Sequence, residues 1–205
     1  MSATHPLWIG GQPLILASAS PIRRQILGDA RIPVETMPAA IDERSVEAGI
    51  STATAPEIAL ALASAKALAV QAEPDRYVLG ADQTLALGPR LFHKPGDRRE
   101  AAENLGALSG RTHQLHSAQA LVRGGSVLWS HVDTADITFR PLSAEFIERY
   151  LDAVGTAAFA SVGSYQIEAL GPHLMQQTVG SHTTILGLPL IPLLQHLRLL
   201  GLVAA

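Results

Sequence analysis

The chain contains no cysteine. That absence excludes disulfides, thiolate metal sites and a thiol nucleophile, and it fits a reducing compartment. Aromatic residues are scarce at 4%, charged residues at 16%, and the net charge is −3. A single-stranded nucleic-acid binder needs a basic, aromatic surface, so no nucleic-acid partner is expected. Long apolar runs are also missing. The most apolar stretch, "LGLPLIPLLQHLRLLGLVAA", is interrupted by Pro189, Pro192, Gln195, His196 and Arg198, which argues against a membrane span. The start, "MSATHPLWIGGQP", lacks the basic and continuous apolar parts of a signal peptide. A cytoplasmic protein with no membrane partner is the expectation. Neither a Walker A sequence nor G-x-G-x-x-G occurs, which disfavours P-loop and Rossmann nucleotide sites.

Lysine is nearly absent. Of 15 basic residues only Lys66 and Lys94 are lysines. Arginine does not replace lysine where a compact point charge must fit, so each remaining lysine is a candidate for function.

What is present suits one α/β domain over residues 1–205, since 47% of the residues are hydrophobic and the length supports a sizeable core. Residues 14–17 read as a buried strand, and Ser20 then caps a helix with Pro21 first and Gly28 as its stop. Residues 32–53 read mostly as loop with one short strand. "TAPE" at 54–57 has capping-box spacing and opens an alanine-rich helix through about residue 72. "YVLGAD" reads as a strand ending at Asp82, followed by two short strands around Gly88-Pro89. A helix is expected over 97–108, and then a long hairpin over 112–140 turning at Gly124-Gly125. Ser143 caps a helix through about residue 152. Residues 155–187 give one or two strands, and Pro189 begins the last helix. The elements do not alternate strictly, so the sheet should be mixed.

Several groups have chemical potential. In "SASPIRR" a strand opens into a helix N-terminus, where free N–H groups, serine hydroxyls and Arg23 together suit phosphate. Asp82 could hold a divalent ion or polarise water, and Asp42-Glu43 adds carboxylate oxygen. Lys94 precedes Pro95, and Arg111 follows a glycine at a turn. His113 and His116, three apart on a strand, point to opposite faces and suit no metal. His173 and His182 read as surface or packing residues. Taken singly, each of these groups is better read as a cap, a turn or a solvated charge.

In order, "LASASPIRR", "IDE", "LASAKA", "GADQT", "HKP", "LSGRTH", "ITFRPLSAEFIERYL", "GSYQIEALG" and "GLPL" resemble the signatures of the Maf-like nucleotide pyrophosphatases over about residues 13–200. The resemblance implies an elongated mixed β-sheet with flanking helices and two lobes around a cleft, similar to the inosine triphosphate pyrophosphatase fold, with the 112–140 hairpin in the second lobe. It implies hydrolysis of a nucleoside triphosphate to monophosphate and pyrophosphate, assisted by Mg²⁺ or Mn²⁺, in a homodimer. Ser18, Ser20 and Arg23 would cradle the triphosphate, with Arg111 and Glu168 as further substrate contacts. Asp82 and Glu43 would hold the metal, and Asp82, Glu43, Lys66 and Lys94 would be catalytic.

Three positions depart from the common spelling: Ile22 stands where an arginine is usual, Ser161 where a lysine is usual, and Glu168 where a glutamine is usual. The spelling is nearer the 7-methyl-GTP branch, although that branch has an aromatic where Ile22 sits. Glu168 could accept hydrogen bonds from a guanine-type edge or join the metal. The alternative function is a non-catalytic nucleotide-binding regulator of septum formation or division.

Overall fold

The computed structural model describes residues 6–50 and 52–205. Seven strands and seven α-helices are mixed along the described chain. They are β1 (Leu14–Leu16), α1 (Pro21–Asp29), β2 (Val34–Thr36), α2 (Glu43–Ala48), α3 (Ala55–Ala69), β3 (Val78–Leu87), β4 (Arg90–Phe92), α4 (Arg98–Leu108), β5 (Thr112–Arg123), β6 (Ser126–Phe139), α5 (Ala144–Val154), β7 (Met175–Val179), α6 (His182–Ile185) and α7 (Leu190–Leu199). The strand order is β2-β1-β3-β5-β6-β7, with β4 paired to β3. β1 runs parallel to both β2 and β3, while β3–β4 and β6–β7 are antiparallel. The mixed α/β reading therefore holds.

The chain divides into two compact units. Unit 1 holds the described residues up to Gln83, with Ser117–Asp133 and Gly187–Ala205; unit 2 holds Thr84–His116 and Thr134–Leu186. The hairpin β5–β6 contributes to both units, its tip belonging to unit 1. That tip turns at Gly124 and Gly125 with φ of 55° and 73°, a pair of left-handed residues that a two-residue hairpin requires.

In unit 1 the helix α3 lies on β5 and β6. Its small residues Ala59 and Ala63 pack against Ala118, Ala120 and Val132, so alanines on both sides let the backbones come close. In unit 2 the core gathers Phe139, Ile137, Leu105 and Leu108 under α4 and α5.

Local signals placed most helix starts. Ser143 accepts from the Phe146 N–H at 3.1 Å, Asp97 from Glu100 at 2.8 Å, and Glu57 receives the Thr54 N–H at 2.7 Å. Other expectations need correction. α1 runs past Gly28 to Asp29, and the left-handed residue after it is Arg31. α3 stops at Ala69. The stretch 155–187 holds one strand, within the one or two expected, with three 3₁₀ turns before it and α6 after it.

Candidate active site

The opening turn of α1 is held from within. Ser20 is the N-cap and accepts the Arg23 N–H at 3.4 Å, with Pro21 in the first turn. Ser18 Oγ accepts the Ser20 N–H at 3.3 Å and Arg23 Nη1 at 3.1 Å. Arg23 also donates Nη1 to the Ala81 carbonyl at 2.8 Å and Nε to the Gly187 carbonyl at 2.9 Å. The sequence reading treats Arg23 as an open phosphate clamp. Here two of its three nitrogens are already taken by the protein, and Nη2 alone has no such bond among the described residues. Burial lowers the Arg23 pKa, while Asp82 and Glu43 pull it back up. Arg23 thus ties the Ser18 turn, β3 and the 187 turn into one piece.

Asp82 is not at a strand end. β3 continues to Leu87, and Asp82 sits mid-strand, 8% exposed. Alternation places Gly80 and Asp82 on one face, and α3 covers that face at Gly80. A Cβ built on Gly80 would lie 2.0 Å from the Ala63 carbonyl oxygen and 2.8 Å from the Ala67 nitrogen. Only the missing side chain lets α3 lie this close. Lys66, one residue before Ala67, then reaches Asp82 and forms an ion pair with its Oδ1. Gly80 is a site residue that the sequence reading missed. Its signal was the glycine two places before the carboxylate.

Glu43 comes from α2, a helix of six residues where the sequence reading has loop. Asp42 caps it, accepting from Arg44 at 3.1 Å and Ser45 at 3.4 Å. No residue of α2 is buried, so no apolar stripe betrayed the helix. Glu43 Oε1 lies 2.7 Å from Lys66 Nζ, and its side chain is 53% exposed against 12% for Lys66. Glu43, Lys66 and Asp82 therefore converge, and Arg23 adds a second cation within electrostatic reach of both carboxylates.

Two carboxylates meeting at one cationic point suit a hard divalent ion. No group of three or more His, Cys, Asp or Glu side chains is assembled among the described residues. That donor set still fits Mg²⁺, which is commonly held by one or two carboxylates plus substrate phosphates and water.

Unit 2 carries the other candidates. Lys94, Arg111 and Glu168 are all exposed there. Glu168 follows a firmly held segment. Ser161 Oγ donates to the Tyr165 carbonyl at 2.7 Å, and the Tyr165 hydroxyl meets His113 Nε2 at 2.8 Å. Ser161, standing where a lysine is usual, closes this loop. His113 and His116 form no metal pair: His116 Nδ1 bonds the Thr134 hydroxyl at 2.9 Å. His173 and His182 are exposed, as expected.

Burial pulls the His113 pKa down to about 4 and pushes that of Tyr165 up. A histidine depressed in the folded state is protonated first in the unfolded chain. Its stabilising contribution is thus complete above about pH 6.5 and is lost as the pH falls towards about 4. The loss is roughly 3 kcal/mol. Urea unfolding at pH 7 and pH 4.5 should show it, with His113→Gln losing measurably less between the two; equal losses would remove His113 as the cause. His116 is shifted the same way by burial and adds with the same sign.

The model of the Maf family, "Maf-like protein", matches residues 13–200. The chain belongs to the Maf family. A Nitrobacter winogradskyi protein named nucleoside triphosphate pyrophosphatase is 54% identical over 193 residues, covering 94% of this chain and 96% of its own. A similarly named protein of Rhodopseudomonas palustris strain BisB5 is 55% identical over 194 residues, covering 94% and 96%. A Rhizobium etli protein named 7-methyl-GTP pyrophosphatase is 52% identical over 191 residues, covering 92% and 96%. This Maf protein matches these enzymes along almost all of its length. Among its described residues no helix is long and apolar enough to cross a membrane.

Proposed function

We propose that this Maf protein is a nucleoside triphosphate pyrophosphatase, hydrolysing its substrate to the monophosphate and pyrophosphate with Mg²⁺ or Mn²⁺. The observation that carries the reading is Lys66 Nζ held between Glu43 and Asp82, beside a strand that Arg23 ties to the Ser18–Ser20 helix start. Relatives with catalytic names align over nearly the full chain, which disfavours the non-catalytic regulator.

The residues divide the work as follows. The start of α1 offers its positive dipole end, and the Ser18 and Ser20 hydroxyls line it, so phosphate oxygens are received there. Asp82 orients the attacking water and accepts its proton as the new bond forms at the α-phosphorus. The bond to the bridging oxygen breaks, and its electron pair leaves on pyrophosphate. Lys66 places an ammonium where that negative charge grows. Glu43 and Asp82 would hold a Mg²⁺ or Mn²⁺ ion, which would supply further charge neutralisation and Lewis acidity at the phosphate oxygens.

Lys94 as a catalytic ammonium, and Arg111 and Glu168 as substrate contacts, rest on the family resemblance. A homodimer in the cytoplasm belongs to the same reading. Glu168 favours a guanine-type base: an exposed carboxylate there can accept hydrogen bonds from the N1–H and N2–H₂ edge.

The purified protein, given Mn²⁺ or Mg²⁺ with 7-methyl-GTP, dTTP, UTP and ITP, should release pyrophosphate and monophosphate in equal amounts. Orthophosphate appearing first would mean cleavage between the β- and γ-phosphates and a different enzyme.

A further inference from the structure

The geometry points to Lys66 as an exchangeable counter-ion: its ammonium and the divalent ion are alternative occupants of the same two carboxylate oxygens. This rests on the metal-assisted reading above and adds what Lys66 does before chemistry begins. Lys66 Nζ contacts Glu43 Oε1 at 2.7 Å and also Asp82 Oδ1, so one cation already bridges both side chains. A divalent ion ligated by those oxygens at about 2.1 Å would bring two positive charges against an ammonium in direct contact with them. One of the two must give way.

The surroundings decide which group moves. Asp82 is fixed in the middle of β3 and buried. The α3 backbone is pressed onto that strand at Gly80, and its position follows from that packing. Glu43 is half-exposed at the first position of a six-residue helix with no buried residue, and it can adjust. The Lys66 stem has four rotatable carbons and ends in a compact charge. Nζ is therefore the group that swings, while Asp82 and α3 stay. An ammonium released from two carboxylates retains its strongest attraction for another anion. Metal binding would thus load Lys66 for contact with the phosphates of an incoming substrate. Until the ion arrives, the same ammonium neutralises a carboxylate pair that would otherwise repel itself in a partly buried place.

The test needs no substrate. Free Mn²⁺, measured by electron paramagnetic resonance, is titrated against the wild type, Lys66→Met and Lys66→Arg. Lys66→Met should bind Mn²⁺ about tenfold to a hundredfold more tightly, because the competing charge is gone. Lys66→Arg should stay near the wild type. In parallel, protein labelled with ¹³C-lysine gives two side-chain signals, since the chain has only Lys66 and Lys94. Saturating Mg²⁺ should move the Lys66 signal and leave that of Lys94 in place.

Unchanged or weaker Mn²⁺ binding by Lys66→Met would overturn the proposal. So would a Lys66 signal that stays fixed while Mg²⁺ saturates, and this arm decides alone if the methionine variant fails to fold. Hydrolysis is assayed separately on the wild type. An inactive protein whose Lys66→Met variant gains Mn²⁺ would refute the enzyme and keep the exchange; an active one without that gain would do the reverse.

Discussion

Asp82→Asn should lower kcat by about a thousandfold, within the range expected when a positioned proton acceptor is removed. The substitution keeps the size of the side chain and removes its charge. Water then has no anionic acceptor on β3, and one of the two carboxylates that meet at Lys66 is gone. The variant should still fold. Stripping one partner from a buried ion pair is strongly destabilising when it leaves a lone charge. Here Lys66 keeps Glu43 at 2.7 Å, so the cost should be nearer 1–3 kcal/mol. Steady-state kinetics with a coupled pyrophosphate assay measures the first effect, and thermal unfolding by circular dichroism the second. A variant retaining more than about a tenth of the wild-type kcat would remove Asp82 from the proton transfer.

Gly80→Ala should be damaging for a purely steric reason. Gly80 has an ordinary strand conformation, so the backbone tolerates any residue there. The space does not: the new Cβ would stand 2.0 Å from the Ala63 carbonyl oxygen, and both atoms belong to packed backbone or its first branch. Relief requires α3 to back away from β3. Overpacking of this kind costs about 3 kcal/mol or more, equivalent to a Tm lower by about 6–12 °C in a chain of this length. The same shift carries Lys66 away from Asp82, and a displacement near 1 Å at a reacting group can cost about a hundredfold in rate. Calorimetry and kcat should therefore fall together. A variant with wild-type Tm and full activity would show that α3 is not wedged at Gly80.

The start of α1 was legible because its signals are local. Ser20 and Pro21 announce the helix, and the short apolar run over residues 14–17 before them announces the strand. The position of Asp82 was not, because aspartate, glutamine and threonine in the middle of "GADQTLAL" look like the end of an apolar run. Asp82 and Thr84 are instead buried, and Gln83 half-buried, within one long strand; Asp82 is paired with Lys66, and Gln83 with Ser117 through a bond of 2.8 Å, partners distant in sequence. α2 escaped because a six-residue surface helix has no apolar period to detect. The pairing of His113 with Tyr165 escaped because it joins residues 52 apart within a core.

For the site, the scarcity of lysine pointed to Lys66 from composition, and the family signatures pointed to Asp82 and Glu43. That these three meet was an inference from resemblance; the distances now give it physical content. The internal engagement of Arg23 lay beyond any local reading, since it depends on the carbonyls of Ala81 and Gly187.

Hydrolysis in ¹⁸O-labelled water, with both products analysed by mass spectrometry, locates the phosphorus that water attacks. Attack at the α-phosphorus places one ¹⁸O atom in the nucleoside monophosphate and none in the pyrophosphate. Label found in pyrophosphate, or in orthophosphate released beside a diphosphate, would contradict the account.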